Sequence, residues 1–101
     1  MEAQELVRLY RLGRRDFNKT CMPCVNLRQA ELCLVKLIAA DLTEANLEGT
    51  DLRGAKLQRA ELRGADLREA QLAGAVLVGT DLRRAQLTGA ARAVQFYITP
   101  V

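Results

Sequence analysis

Leucine recurs at every fifth position from Leu27 to Leu87, thirteen times without a miss, and Phe17 and Met22 carry the same register backward with other large apolar side chains. No regular helix or strand accommodates such a period. On an α-helix five residues advance about 500°, so the leucines would spiral onto every side. On a flat strand an odd period would throw successive leucines to opposite faces. The chain must therefore turn once inside every repeat. A second register supports this: two residues before each leucine, and again before position 92, the fourteen positions from Val25 to Ala90 hold only Ala, Val or Thr.

Within a repeat the order small, polar, Leu is an in, out, in alternation and predicts a short extended stretch. The next two residues are mostly polar or Gly and form a corner. Six of the seven glycines (Gly49, Gly54, Gly64, Gly74, Gly79 and Gly89) occupy the second corner position, where a type II turn requires φ > 0. Where that position holds Gln29, Glu44, Arg59, Glu69 or Arg84, a different corner geometry is expected, because positive φ is costly for these residues.

The A-[DN]-L-x-x pattern, seen in Ala40-Asp41-Leu42, Ala45-Asn46-Leu47 and Ala65-Asp66-Leu67, resembles the pentapeptide-repeat family and runs over about residues 16–91. The resemblance implies an all-β solenoid, a right-handed quadrilateral β-helix in which four pentapeptides make one 20-residue coil. It supplies the number of sides, which periodicity alone does not. On that plan the chain makes about four coils and carries a short N-terminal α-helical cap. Four inward columns form the expected structural core. The first is Phe17, Leu37, Leu57 and Leu77, and the second is Met22, Leu42, Leu62 and Leu82. The third is Leu27, Leu47, Leu67 and Leu87, and the fourth is Leu32, Leu52 and Leu72. Coils stacked about 4.8 Å apart make a rod roughly 18 Å tall, and a bulky side chain in a small-residue column, as in Ala65→Leu, should overpack it.

A solenoid needs its ends covered. Residues 2–12 read as a short amphipathic helix with Leu6, Leu9 and Tyr10 on one side. Gly13 suits the position just past its end, and Arg14 and Arg15 suit the negative end of its dipole. The expected division is a capping helix at 1–14, the repeat at 15–91 and a capping or dimerising tail at 92–101. Arg92 falls at the next inward position, where a buried charge is expensive, so the coil should break there. Beyond it Val94-Gln95-Phe96-Tyr97-Ile98 is partly apolar and either folds across the last coil or joins a second molecule.

The function classes are narrowed mainly by what is missing. There is no His, no Ser and no Trp, so the usual hydrolase nucleophile, the usual acid–base residue and His-ligated metal sites are lost. Cys21-x-x-Cys24 resembles half a zinc or redox site with Cys33 nearby, but zinc sites normally need four ligands. These cysteines are read as soft packing in an irregular first coil, and no metal or cofactor is expected. Asp41, Glu44, Glu48 and Asp51 form an acidic run read as a solvated face. The outward apolar residues Leu34, Ile38, Val76 and Val78, with Ile38 and Val78 in one column around Gln58, form a candidate interface, as do Phe96 and Tyr97 in the tail.

The net charge of +3 is uneven, +2 over residues 1–20, −3 over 21–52 and +4 over 53–101. Basic and acidic side chains interleave without stacking aromatics, so weak nucleic-acid or membrane-surface binding through basic patches stands as an alternative, not the leading reading. No apolar run approaches a membrane span, no signal-type segment opens the chain, and three cysteines, an odd number, suit a reducing compartment. A cytoplasmic location is expected. The leading reading is a non-enzymatic scaffold that presents its rod surface to an unknown protein partner, with a homodimer through the tail as a possibility. Some members of the resembled family bind DNA gyrase or topoisomerase as mimics of duplex DNA. That alternative calls for a strongly negative and longer rod than this one.

Overall fold

A computed structural model describes residues 1–90. One helix, α1 (Ala3–Arg11), precedes a chain that turns every five residues and pairs with itself twenty residues on. The parallel bridges run Asp16–Lys36–Lys56–Val76, Cys21–Asp41–Glu61–Asp81, Asn26–Asn46–Asp66–Gln86 and Glu31–Asp51–Gln71. A corner at every fifth residue and a partner at every twentieth make the coil four-sided. Each bridging residue turns its own N–H and carbonyl to the coil before it, as when Asn46 donates to the Val25 carbonyl (2.8 Å) and accepts from the Leu27 N–H (2.8 Å). Its two neighbours face the coil after it: the Ala45 carbonyl accepts from Asp66 (2.9 Å) and the Leu47 N–H donates to Asp66 (2.7 Å). Backbone polarity is thus satisfied between coils along each side.

The interior is closed, and the four inward columns stand where the repeat places them. Phe17, Leu37, Leu57 and Leu77 line one wall, and Met22, Leu42 and Leu62 line the next. Leu27, Leu47 and Leu67 follow, and Leu32, Leu52 and Leu72 complete the tube. None of these side chains is more than 2% exposed, and Ala40, Ala55, Ala60 and Ala65 at 0% fill the space between them. Leu82 and Leu87 depart from the expected core, being only half-buried, because among the described residues no full coil lies beyond theirs. Two small positions hold threonine, and each hydroxyl finds a carbonyl of the preceding coil: Thr50 donates to Leu27 (2.7 Å) and Thr80 to Leu57 (2.6 Å).

The corners depart from the sequence expectation. All fifteen second corner positions from residue 19 to residue 89 have positive φ, 59–64° for the nine that are not glycine and 66–80° for the six glycines. Gln29, Glu44, Arg59, Glu69 and Arg84 therefore make the same turn as glycine. The reason is the ladder. The corner N–H donates to a carbonyl nineteen residues on, as Glu44 does to Arg63 (2.8 Å) and Arg59 to Val78 (3.0 Å). Any other corner would break the register on both sides of it. The left-handed conformation costs roughly 1–2 kcal/mol for an L-residue, comparable to a hydrogen bond gained and a neighbouring side kept in register.

The Asp or Asn of the motif has a local task. Its side-chain oxygen accepts the N–H two residues on, bracing the first corner position: Asn26 from Arg28 (3.1 Å), Asp41 from Thr43 (3.0 Å), Asp66 from Arg68 (3.0 Å). This is the short Asx turn that Asp and Asn favour. In Asp51-Leu52-Arg53, Asp66-Leu67-Arg68 and Asp81-Leu82-Arg83 the carboxylate also takes a two-pronged guanidinium contact at 2.7–3.0 Å.

α1 ends in a Schellman turn. The Gly13 N–H (φ +104°) reaches the Tyr10 carbonyl (2.9 Å) and the Arg14 N–H reaches Leu9 (3.0 Å), the pairing that a left-handed residue past the helix end provides. The helix puts Leu6 wholly out of water and lays Leu9 and Tyr10 partly against the core. Tyr10 donates to the Cys33 carbonyl (2.7 Å), its hydroxyl lies 3.4 Å from the Cys33 Sγ, and the Arg15 guanidinium stacks 3.7 Å from its ring centre.

Candidate interaction face

The four sides differ in what they show to solvent. One ladder presents Cys21, Asp41, Glu61 and Asp81; the next Asn26, Asn46, Asp66 and Gln86; another Glu31, Asp51 and Gln71. The remaining side is built from four stacked segments, 14–18, 34–38, 54–58 and 74–78, with Asp16, Lys36, Lys56 and Val76 along its midline. It gathers all four outward apolar residues singled out from the repeat. Leu34 is 63% and Val78 48% exposed, while Ile38 and Val76 are half-buried. Leu34 leans across the corner of the following coil: a Cβ on Gly54 would come within 2.7 Å of its Cδ2, so glycine there gives the leucine its seat.

Gln58 sits between Ile38 and Val78 in the corner column, and its Oε1 is buried without a hydrogen-bond partner. Asn18, one coil before Ile38 in the same column, uses its own Oδ1 to accept the Ile38 N–H (2.8 Å). Lys36 and Lys56 are direct ladder neighbours, both exposed. Lys19 and Arg59 stand on the corner beside them, and among the described residues none of the four enters an ion pair. Several arginines elsewhere are paired: Arg28 meets Glu48 at 2.8 Å, Arg68 meets Asp66 at 2.7 Å and Glu48 at 3.6 Å, and Arg83 meets Asp81 at 2.7 Å. Arg63 and Arg84 enter no ion pair among the described residues. The basic character of the lysine side was missed in the sequence, where Lys36 and Lys56 lie twenty residues apart. Writing the chain in rows of twenty would have found it.

Two other sequence readings need correction. The acidic run Asp41, Glu44, Glu48 and Asp51 is not one face, because ten residues carry the chain half a turn and place Asp41 and Asp51 on opposite sides. Asp51 and Glu48 are also paired with arginines. The first coil is regular: Cys21 pairs with Asp41, and Cys24 makes the standard corner (φ 61°) with its N–H on Thr43 (2.8 Å). All three cysteines are free thiols, Cys21 and Cys24 exposed and Cys33 half-buried. Phe96, Tyr97, Arg92 and the rest of the tail lie outside the described residues.

The side chains with shifted ionisation are structural. The Arg83 guanidinium, helped by the Arg83 N–H, holds the Asp81 carboxyl at about 2. Arg53 and Arg68 act likewise in lowering Asp51 and Asp66, and the hydrogen bonds from Thr43 lower Asp41. Burial, with the bond to Cys33, pushes the Tyr10 hydroxyl up to about 12. Among the described residues no group of His, Cys, Asp and Glu could hold a metal ion, and no helix is long and apolar enough to cross a membrane. Concavities flank α1, one along Ala3, Val7 and Leu12 on its outer side and one where Val7 and Tyr10 face Gln29 and Ala30. Neither holds a nucleophile beside a base.

Comparison with known proteins agrees with this architecture. The family model for pentapeptide repeats matches residues 34–68 and 65–91. No curated protein matches the chain. Among solved structures, the pentapeptide repeat protein alr5209 from Nostoc PCC 7120 is 42% identical with a TM-score of 0.86, over 87% of this chain and 73% of that one. A pentapeptide repeat protein of the Arabidopsis thaliana thylakoid lumen, AT2G44920, is 34% identical with a TM-score of 0.69, over 71% of this chain and 50% of its own. HetL of Nostoc sp. strain PCC 7120, involved in heterocyst differentiation regulation, is 28% identical with a TM-score of 0.57, over 84% of this chain and 48% of its own. With its five-residue corners, its twenty-residue ladders and these matches, the chain belongs to the pentapeptide-repeat family.

Proposed function

We propose that this protein is a non-enzymatic scaffold whose lysine side, edged by Leu34, Ile38 and Val78 and carrying Val76 on its midline, docks a protein partner. In this reading the fold serves it as a right-handed rod of stacked coils that begins at residue 15, with residues 1–14 closing the first coil. The observation that carries the reading is the gathering of every large outward aliphatic residue of the repeat on one side of four. Scattered apolar residues on a surface are ordinary; a cluster among polar faces marks contact. A closed interior, and the lack of a nucleophile–base pair among the described residues, leave no seat for turnover. A duplex mimic would need continuous negative charge, whereas this rod sets lysines on the side adjoining its Asp41–Glu61–Asp81 ladder.

The test is an affinity pull-down from the native host with the intact protein and with the Ile38→Lys, Val78→Lys double variant, circular dichroism confirming that both fold alike. A partner retained by the first and lost by the second is expected. Identical partner sets would refute the reading.

A further inference from the structure

We infer that the lysine side recognises an acidic, apolar protein segment, one that sets carboxylates on Lys36 and Lys56 and aliphatic side chains on Leu34 and Val78. The inference rests on the scaffold reading above and names the partner's chemistry. Lys36 and Lys56 are stacked directly on one ladder, about 4.8 Å apart at the backbone. Like charges so placed repel and weaken the pairing. Lys19 and Arg59 on the adjoining corner are exposed as well. The carboxylate of the same ladder is Asp16, which precedes Lys36 and whose Oδ1 accepts the Asn18 N–H (3.0 Å); it forms no ion pair with either lysine. Unpaired cations occur on other sides too, at Arg63 and Arg84; this side is set apart by two lysines stacked on one ladder between exposed Leu34 and Val78.

Charge complementarity therefore calls for an anionic occupant, and the apolar edges decide which kind. Leu34 and Val78 stand at opposite corners with the lysines between them, so the occupant must offer apolar groups on both flanks of its carboxylates. A protein segment mixing Asp or Glu with Leu, Ile, Val or Phe does this. A nucleic acid offers phosphates and bases, but among the described residues this side has no aromatic side chain on which a base could stack. A lipid surface would need a continuous apolar face projecting beyond the cations, whereas of the apolar residues here only Leu34 and Val78 are exposed, at opposite corners, and Ile38 and Val76 are half-buried. The side is also small. Three coils at about 4.8 Å and one extended stretch of roughly 10 Å give a patch far below the ~800 Å² per partner of a stable protein interface. It suits a short segment, bound weakly unless other contacts add to it.

The experiment selects short peptides from a random displayed library on the immobilised full-length protein and measures the enriched peptides by fluorescence anisotropy. Three proteins are compared: the natural chain, Lys36→Glu with Lys56→Glu, and Leu34→Asp with Val78→Asp. A Lys36→Gln, Lys56→Gln variant stands in if the charge reversal disturbs folding. Enriched peptides should combine carboxylates with aliphatic residues, bind at least roughly ten-fold more weakly to either double variant, and weaken as salt rises. Apolar peptides indifferent to the lysine changes would overturn the acidic chemistry and leave the docking reading standing. Selection that yields no binder, or binders indifferent to all the variants, would overturn both. Tighter binding to phosphatidylserine-rich vesicles or to a short DNA duplex than to any selected peptide would also overturn the inference.

Discussion

Replacing Leu47 by Ala should be among the most damaging single changes in this molecule. Leu47 is 0% exposed and lies in the column between Leu27 and Leu67, themselves 2% and 1% exposed. The substitution removes three carbons, worth about 2.4 kcal/mol of burial at ~0.8 kcal/mol each. A cavity term is added to the extent that the walls cannot relax. Here they have little freedom. Coil spacing is set by backbone bonds on both sides of the site, Leu47 to Asp66 at 2.7 Å and Leu27 to Asn46 at 2.8 Å, and the neighbouring leucines cannot approach one another without breaking them. We expect a loss of about 3–4 kcal/mol, in the middle of the range of roughly 2–5 kcal/mol for buried Leu→Ala changes. The matched control is Leu87→Ala in the same column, where the leucine is only half-buried; its loss should be about 1 kcal/mol, since less area leaves water. Urea unfolding followed by circular dichroism reads both. With a slope of about 1–3 kcal/mol per molar, Leu47→Ala should lower the midpoint by about 1–4 M and Leu87→Ala by much less. Losses within about 0.5 kcal/mol of each other would refute the argument that the ladder holds the cavity open.

Gly64→Ala should cost about 1 kcal/mol or more in the same assay, because φ there is +71° and the new Cβ would lie 3.2 Å from the Glu44 Cγ; its partner change Glu44→Gly should be neutral or stabilising. The rod should resist mild acid. The Asp81 carboxyl, held at about 2 against an ordinary 3.8, stabilises the folded state above about pH 4, and that contribution fades as the pH falls toward about 2. Thermal midpoints across that interval should fall with pH, and less steeply in Arg83→Ala. At the other extreme the raised Tyr10 hydroxyl supports folding below about pH 10 and loses that support as the pH climbs through about 12. Ellipticity at the helical minimum should therefore decline there, and should show no such step in Tyr10→Phe.

Much of this architecture is legible one residue at a time. Leucines at steps of five with Ala, Val or Thr two before them leave a chain no choice but to turn within each repeat, and Leu6, Leu9 and Tyr10 mark the inner side of α1. What the residues cannot express is which neighbour each side acquires. The corner residues show this. Judged alone, Glu44 and Arg59 should avoid positive φ, yet both adopt it, because the ladder to the next coil outweighs a local preference of roughly 1–2 kcal/mol. The acidic run shows it again, since residues consecutive in the chain are turned a quarter of the way round the rod at each repeat. The apolar residues of the candidate side were visible individually, and their convergence with Lys36 and Lys56 was not. Stacking is a relation between positions twenty apart, set by how many corners close a coil. That number comes from packing four leucine columns inside one tube, and only the folded chain contains it.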